Sequence, residues 1–210
     1  MAAKPPPRLN RKEQQARTRS HLMQAAGKVF ARRGLHQSSV ELVAAEAGYT
    51  KGAFYANFAS KEDLFLALLE ERFAERMEAL DVELAGPGSP EDHARASGAE
   101  FTAYLHRDAE WERLFFEFAA HAARDKAFRG ELLKRWNQLI ARMATLIERY
   151  TTVAGIDALG AVDAFALMIF TMANGVALQR VIDPKGVPDE LLSDMLELLT
   201  LGALAKAQQA

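Results

Sequence analysis

Apolar residues recur at helical spacing along nearly the whole chain, and no stretch alternates apolar and polar as a half-buried strand would. Between residues 11 and 33, Leu22, Ala25, Ala26, Val29 and Phe30 fall at i, i+3, i+4, i+7 and i+8, which predicts one amphipathic helix. Gly34 ends it, after Arg32 and Arg33, whose charge suits a helix C-terminus. From Ser39 to Lys61 the pattern breaks into two short helices joined by a tight turn. Val40, Val43, Ala44 and Ala47 share the buried face of the first, and Glu41 and Glu46 face water. Ser39 is its natural N-cap, and Gly48 supplies the positive φ that the turn needs. Thr50 caps the second, expected to run through Phe58 with Phe54 and Phe58 directed together into a core. Ser60 then caps a longer helix through Leu64, Leu68, Phe73 and Met77 to about Leu84, stopped by Gly86-Pro87-Gly88-Ser89-Pro90.

Past Ser89 the pattern stays helical, with helices expected near 90–106, 108–122, 125–153, 157–181 and 188–206. Asp157 after Gly155 marks one start, and Asp183 to Gly186 with Pro188 separates the last two. The chain therefore reads as all-α, in three parts. Residues 1–10 form a disordered basic, proline-rich tail, because three consecutive prolines cannot join a helix. Residues 11–60 form a three-helix, helix-turn-helix domain. Residues 61–210 form a helical bundle, and the helix after Ser60 is long enough to act as a lever between the two domains. The longest chargeless stretch, Ala164 to Gln179, is shorter than the roughly twenty residues that cross a bilayer and reads as a buried helix.

Charge sharpens this division. Residues 1–61 carry eleven Lys or Arg against Glu13, Glu41 and Glu46, a balance of +8, and the remainder balances at −10 within the net charge of −2. A basic first segment on an acidic body is the footprint of a polyanion bound at one end. Arg8, Arg11, Lys12, Arg17 and Arg19 lead into the first helix as an arm suited to phosphates or a minor groove. There is no cysteine and no apolar leader at the start, which fits a cytoplasmic protein without a membrane partner.

The short helix after Thr50 leaves Lys51, Ala53, Tyr55 and Asn57 on outward faces, and small residues there suit a backbone that must approach the floor of a major groove. The wording is specific: A-A-x-x-x-F-x-x-x-G (Ala25, Ala26, Phe30, Gly34), S-V, A-A-x-A-G, T-K-G-A-F-Y-x-N-F and S-K-E-D-L. This resembles the N-terminal DNA-binding domain of the TetR family of bacterial transcriptional regulators. The resemblance implies that Thr50, Tyr55 and Lys61 bind phosphates, with Ser39 adding a contact through its hydroxyl or its helix-start amides. It implies that Lys51, Gly52, Ala53 and Asn57 face base edges. The position after Tyr55, often bulky in the family, is Ala56 here.

In the bundle, aromatic and sulfur residues crowd the middle helices, an ordinary core composition interrupted by a few polar groups. An aromatic-walled cavity with placed polar groups suits a small apolar or aromatic effector. The family's pocket lies among these helices, which makes Tyr104, Trp111, Phe115, His121, Trp136, Met168 and Asn174 the candidate lining. The last two helices, through Phe165, Ile169, Met172, Ala173, Val176 and Arg180 and through Leu191, Met195, Leu198, Leu199 and Gly202, are expected to pair with a second copy. A homodimer is needed to read both halves of a palindromic operator. Catalysis is not expected. The five histidines form no metal-ligand pattern, Asp92-His93 and His106-Arg107-Asp108 read as charged helix ends, and no phosphate loop or nucleophile motif is present, so no metal or cofactor is expected. The chain reads as a ligand-responsive repressor released from double-stranded DNA by its effector. The alternative is a helical small-molecule carrier or scavenger whose first domain no longer reads DNA.

Overall fold

The computed structural model describes residues 10–153 and 162–207. Residues 1–9 and the expected helix start at Asp157 lie outside the described residues. Every regular element among the described residues is an α-helix, and contacts divide the chain between Leu69 and Glu70.

In the first unit, α1 (Arg11–Arg33) opens with a capping box. The Asn10 side chain accepts from the Glu13 amide at 2.9 Å, and the Glu13 carboxylate accepts from the Asn10 amide at 2.7 Å. Asn10 is thus part of the helix start, not of a disordered tail. All five residues of the predicted stripe are buried. Gly34 ends α1 at φ 70°, and Leu35 folds back into the core. Next, α2 (Val40–Glu46) ends in a Schellman motif: Tyr49 N donates to Ala44 O at 2.8 Å and Gly48 N to Ala45 O at 3.0 Å. Gly48, at φ 74°, occupies the left-handed position that makes this possible. The Tyr49 hydroxyl meets His21 Nδ1 at 3.0 Å and ties the turn to α1.

The next helix, α3, spans only Lys51–Tyr55 and stops short of the expected Phe58. Side chains of α1 take over its end: Arg19 donates to Asn57 O at 3.0 Å, and Gln15 to Ala56 O at 3.4 Å. The Arg19 guanidinium also lies 4.2 Å from the centre of the Phe58 ring, and Phe54 and Phe58 pack 5.7 Å apart. Helix α4 (Lys61–Ala85) follows. The contact division falls later than the expected boundary at residue 60, because the opening turns of α4 bury Leu64, Phe65, Leu66, Leu68 and Leu69 with the first unit.

The second unit comprises the rest of α4, α5 (Pro90–Arg107), α6 (Ala109–Arg124), α7 (Lys126–Val153), α8 (Val162–Ile182) and α9 (Leu191–Ala207). Ser89 and Asp92 form a second capping box with Pro90 in the first turn of α5, and Asp108 caps α6. Helices α5 and α9 touch backbone to backbone at Gly98. A Cβ there would lie 2.5 Å from Ser193 Cα. The buried Arg180 gathers α5, α8 and the turn before α9, donating to Asp189 at 2.6 Å and Pro188 O at 3.0 Å and meeting His106 at 3.1 Å.

Two expectations about α8 fail. The stretch predicted to be a buried helix leaves Leu167, Met168 and Leu178 exposed, as is Ile182 beyond it, and α8 is long and apolar enough to cross a membrane by length and composition. The stripe expected to pair with a second copy faces its own bundle instead, since Val176 is buried and Ile169, Met172 and Ala173 pack beside Leu192 and Leu196. A helix apolar all round has no polar face to say which side turns inward.

Candidate nucleic-acid interface and internal cavity

On the first unit, the caps set the outward surface. Ser39 Oγ accepts from Leu42 N at 3.3 Å and Thr50 Oγ1 from Ala53 N at 3.1 Å, so both hydroxyls serve the helix starts. Thr50, Lys51, Gly52 and Tyr55 are exposed, and Ala53 is half-buried. A Cβ on Gly52 would meet only Thr50 Oγ1, at an ordinary 3.7 Å. The fold does not require glycine there, and its absence of a side chain bares the helix backbone. Lys51 lies beside the Tyr55 ring and pairs with Glu41 across the turn. That ammonium holds the Glu41 carboxyl down to about 2, helped by a backbone bond and the Ser39 hydroxyl, and the carboxylate in turn raises Lys51.

Two residues depart from their expected roles. Asn57 does not present itself to bases: its Nδ2 donates to Ala53 O at 2.8 Å, and its Oδ1 is buried. It closes the short helix. Lys61 Nζ donates to Leu35 O at 2.8 Å and Ser38 O at 3.1 Å, leaving one of its three N–H groups for a phosphate. Its first task is to hold the loop before α2.

In the second unit, α4 to α9 line a partly open cavity of about 200 Å³. By the same measure a water needs only about 10–15 Å³, so the space suits an organic molecule. Of the seven candidate residues, Tyr104, Trp111, Phe115 and Asn174 line it. His121, Trp136 and Met168 do not. His121 packs on Phe128, Trp136 lies behind the wall between Phe115 and Phe170, and Met168 is on the outer side of α8. Asn174 donates to Phe170 O at 2.8 Å within its own helix.

The cavity also gathers polar residues that the sequence did not flag. Arg72 pairs with Asp108 at 2.6 Å and covers the Trp111 ring at 5.2 Å. The Arg76 guanidinium lies over Phe101 at 4.2 Å and Tyr104 at 4.7 Å, and its nearest carboxylate, Glu100, is 3.8 Å away. Burial lowers the pKa of Arg76, and burial pushes Glu112 up to about 7 against the pull of Arg76. The Tyr104 hydroxyl is raised by the same desolvation. His93, read as a helix-end charge, is 3% exposed, with its ring edge-on to Tyr150 and Nδ1 3.3 Å from Glu83. A signal existed: His93, Ser97, Phe101 and Tyr104 follow the i, i+4, i+8, i+11 spacing of one face.

Similarity to known proteins covers parts of both units. Residues 22–68 match the model of the bacterial regulatory proteins of the tetR family, and residues 90–200, more than half of the chain, match that of the BetI-type transcriptional repressor C-terminal domain. The HTH-type transcriptional regulator YerO of Bacillus subtilis is 25% identical over 205 residues, covering 89% of this chain and 67% of that protein. The HTH-type transcriptional activator FasR of Mycolicibacterium smegmatis is 30% identical over 99 residues, 47% of this chain and 45% of that one. The structure of FadR from Bacillus subtilis in complex with stearoyl-CoA superposes with a TM-score of 0.70 at 19% identity, over 88% of this chain and 98% of that one, and so shares the fold. A capped, glycine-bearing α3 open to solvent, a helical second unit and a match over both place the chain in the TetR family: it is a DNA-binding transcriptional regulator, not an enzyme.

Proposed function

We propose that this regulator is a cytoplasmic homodimeric repressor that binds a palindromic operator and leaves it when a small, largely apolar effector fills the cavity in the second unit. The observation that carries this reading is the pair of features on one chain: an α3 whose Thr50, Lys51, Gly52, Ala53 and Tyr55 form a compact outward surface, and a partly open apolar cavity walled by α4. Thr50, Tyr55, Ser39 and the remaining N–H of Lys61 take phosphates, and Lys51, Gly52 and Ala53 approach base edges. Residues 11–60 with the first turns of α4 make the reading domain, and the helices beyond make the effector and dimerisation domain.

The dimer forms through the outer sides of α8 and α9. Leu167, Met168, Leu178 and Ile182 on α8 and Leu198 and Leu201 on α9 are exposed in the single chain, and a Cβ on Gly175 or Gly202 would meet nothing within 4 Å. Apolar side chains interrupted by bare glycine permit close approach of a two-fold copy. Repression is favoured by the description of the matching C-terminal model, and an apolar chain by the stearoyl-CoA held by FadR. Helix α4 supplies both Leu64 to Leu69 of the first unit and Arg72 to Leu84 of the cavity wall, so a ligand that prefers one setting of α4 weakens DNA binding. A coupling of roughly 1–3 kcal/mol corresponds to about 5–150-fold in affinity.

The test is fluorescence anisotropy with labelled DNA from upstream of the coding sequence, with and without apolar compounds that raise the melting temperature. Saturable, competitor-resistant binding that such a compound releases is the expected result. Binding of the compound with no DNA binding at any salt would instead indicate a carrier.

A further inference from the structure

The lining of the cavity repeats one register on several helices. On α4 it falls on Arg72, Arg76, Leu80 and Leu84, and on α7 on Leu139, Met143, Ile147 and Thr151. Residues four apart form a row along one side of a helix, and each of these rows extends about 18 Å. The ion pairs align them. Glu70 meets Arg135 and Asp81 meets Arg149, so α4 and α7 run the same way with their rows level. Arg76 beside Glu100 and Glu83 beside His93 set α5 antiparallel to α4. Thr102 on Asp189 and Arg95 on Glu197 set α9 antiparallel to α5. The α9 lining, from Leu192 to Leu204, therefore starts opposite Gly98 and closes the far end, past Leu84. The cavity is long and lies parallel to α4.

Its length fixes its width. About 200 Å³ is open to the centre of a water-sized sphere. Spread along 18 Å, this is a mean section of about 11 Å², a circle of radius about 1.9 Å. The sphere's own radius of about 1.4 Å sets the walls about 3.3 Å from the axis, a channel about 6.6 Å across. Packed carbon atoms lie roughly 3.5–4.0 Å apart, so one aliphatic chain passes, while two side by side need roughly 7–8 Å. Charge selects nothing further, because Glu83, Glu100 and Glu112 line the walls together with Arg72 and Arg76.

Resting on the cavity as the effector site, we infer that it is a single-file slot for one unbranched aliphatic chain of about fifteen atoms, lying along α4. An extended chain advances about 1.1–1.2 Å per bond, three bonds taking roughly 3.3–3.6 Å, and 18 Å takes that many atoms. Compact ring systems and folded chains of equal apolar area are excluded by width. A chain of full length touches α4 over three turns, and a shorter one touches only part of them.

The experiment titrates the full-length protein with straight-chain primary alcohols from octanol to octadecanol, delivered from cyclodextrin, and with cyclododecanol. Tryptophan fluorescence reads binding, since Trp111 stands in the wall. Each added methylene should tighten binding about fourfold up to a break between tetradecanol and hexadecanol, and octadecanol should gain nothing more. Cyclododecanol should bind at least about tenfold more weakly than dodecanol, because it overfills the width. Ala79→Phe, part-way along the α4 lining, should move the break down by several carbons, and Ala203→Phe, at the far end of α9, by fewer. Both should leave octanol bound. A gain that continues to octadecanol, a break that neither folded variant moves, or cyclododecanol binding as tightly as dodecanol overturns the slot and leaves the effector cavity standing. The wild-type series decides even where a variant fails to fold. Failure of every one of these alcohols to bind folded, DNA-binding protein overturns the cavity reading and the inference with it.

Discussion

Two sequestered cations, Lys61 and Arg76, lie on one helix and are treated in opposite ways. In the DNA-reading unit, Lys61 spends two N–H groups on the carbonyls of Leu35 and Ser38. In the bundle, Arg76 rests on aromatic rings with one nitrogen unpartnered. The same contrast holds more widely. The small unit directs its polar groups inward to fix geometry: Arg19 and Gln15 close α3, Asn57 bonds its own helix, and Tyr49 meets His21. The bundle instead buries Glu112 and His93 at a cavity, where the lost hydration of each costs stability. A reading head must be rigid before it meets DNA, and the small unit spends its polar groups on that rigidity.

The contrast breaks most severely if the bundle's own scaffold fails. Gly98→Val would drive a side chain into Ser193 Cα and N, backbone atoms that cannot step aside. It should cost upwards of about 3 kcal/mol and abolish the cavity's ligand response, since overpacking against fixed backbone exceeds the usual penalty. Thermal melts check this, and a near-native melting temperature would show that α5 and α9 separate easily.

The second probe reads the cost of the unsatisfied bundle directly. Free carboxyls lose their proton near 4.5, but Glu112 keeps its proton in the fold until about 7. The native state therefore binds more protons across that window, and stability falls as pH rises through it, by up to roughly 3 kcal/mol, then levels off. Glu112→Gln should remove this slope: close to wild type near pH 5, more stable by several degrees near pH 8. A variant that melts like wild type at both values would show that Glu112 carries no such penalty.

The two units were also unequally legible. Asn10 with Glu13, Ser39, Thr50, Ser89 with Asp92, and the glycines at 34 and 48 announce their roles because their partners lie within a turn. Almost the whole reading head is built from such local signals, and the stripe of α1 is buried as its spacing demands. What escaped depends on distant partners. Helix α3 stops early because Arg19 and Gln15, some forty positions upstream, capture the carbonyls at its end. His93, Arg76 and Glu112 look like surface charges until three other helices cover them. In α8 the apolar residues surround the axis, so spacing could not separate the side that packs on Leu192 and Leu196 from the side carrying Leu167 and Ile182.

Smaller effects sharpen the picture of the reading head. Lys61→Ala removes two charge-assisted hydrogen bonds at a half-buried site and should cost about 2 kcal/mol, with weaker binding to DNA of any sequence. A pure phosphate contact would flatten the salt dependence by about one charge with no change in melting. Melts alongside a salt titration separate the two roles, and an unaltered melting temperature would restore Lys61 to the phosphates alone.

The smallest expected effect concerns a competing partner on the outer surface of the reading head. On the proposed reading Lys51 reaches a base edge, yet in the free protein it pairs with Glu41 across the turn. Both side chains are exposed, so the pair adds little to the fold, and exchanging one anion for another on DNA is easy. Its cost falls on binding: Glu41 stays charged at neutral pH and must be displaced, and it opposes the approaching backbone. Glu41→Gln should therefore bind the operator a few-fold tighter at low salt, with the advantage fading as salt screens it. The same gain is expected on unrelated DNA, because repulsion does not read sequence. Anisotropy over a salt series decides it. If the variant binds the operator more weakly while unrelated DNA is unaffected, Glu41 accepts from a base edge itself, and the outward surface of α3 extends onto α2.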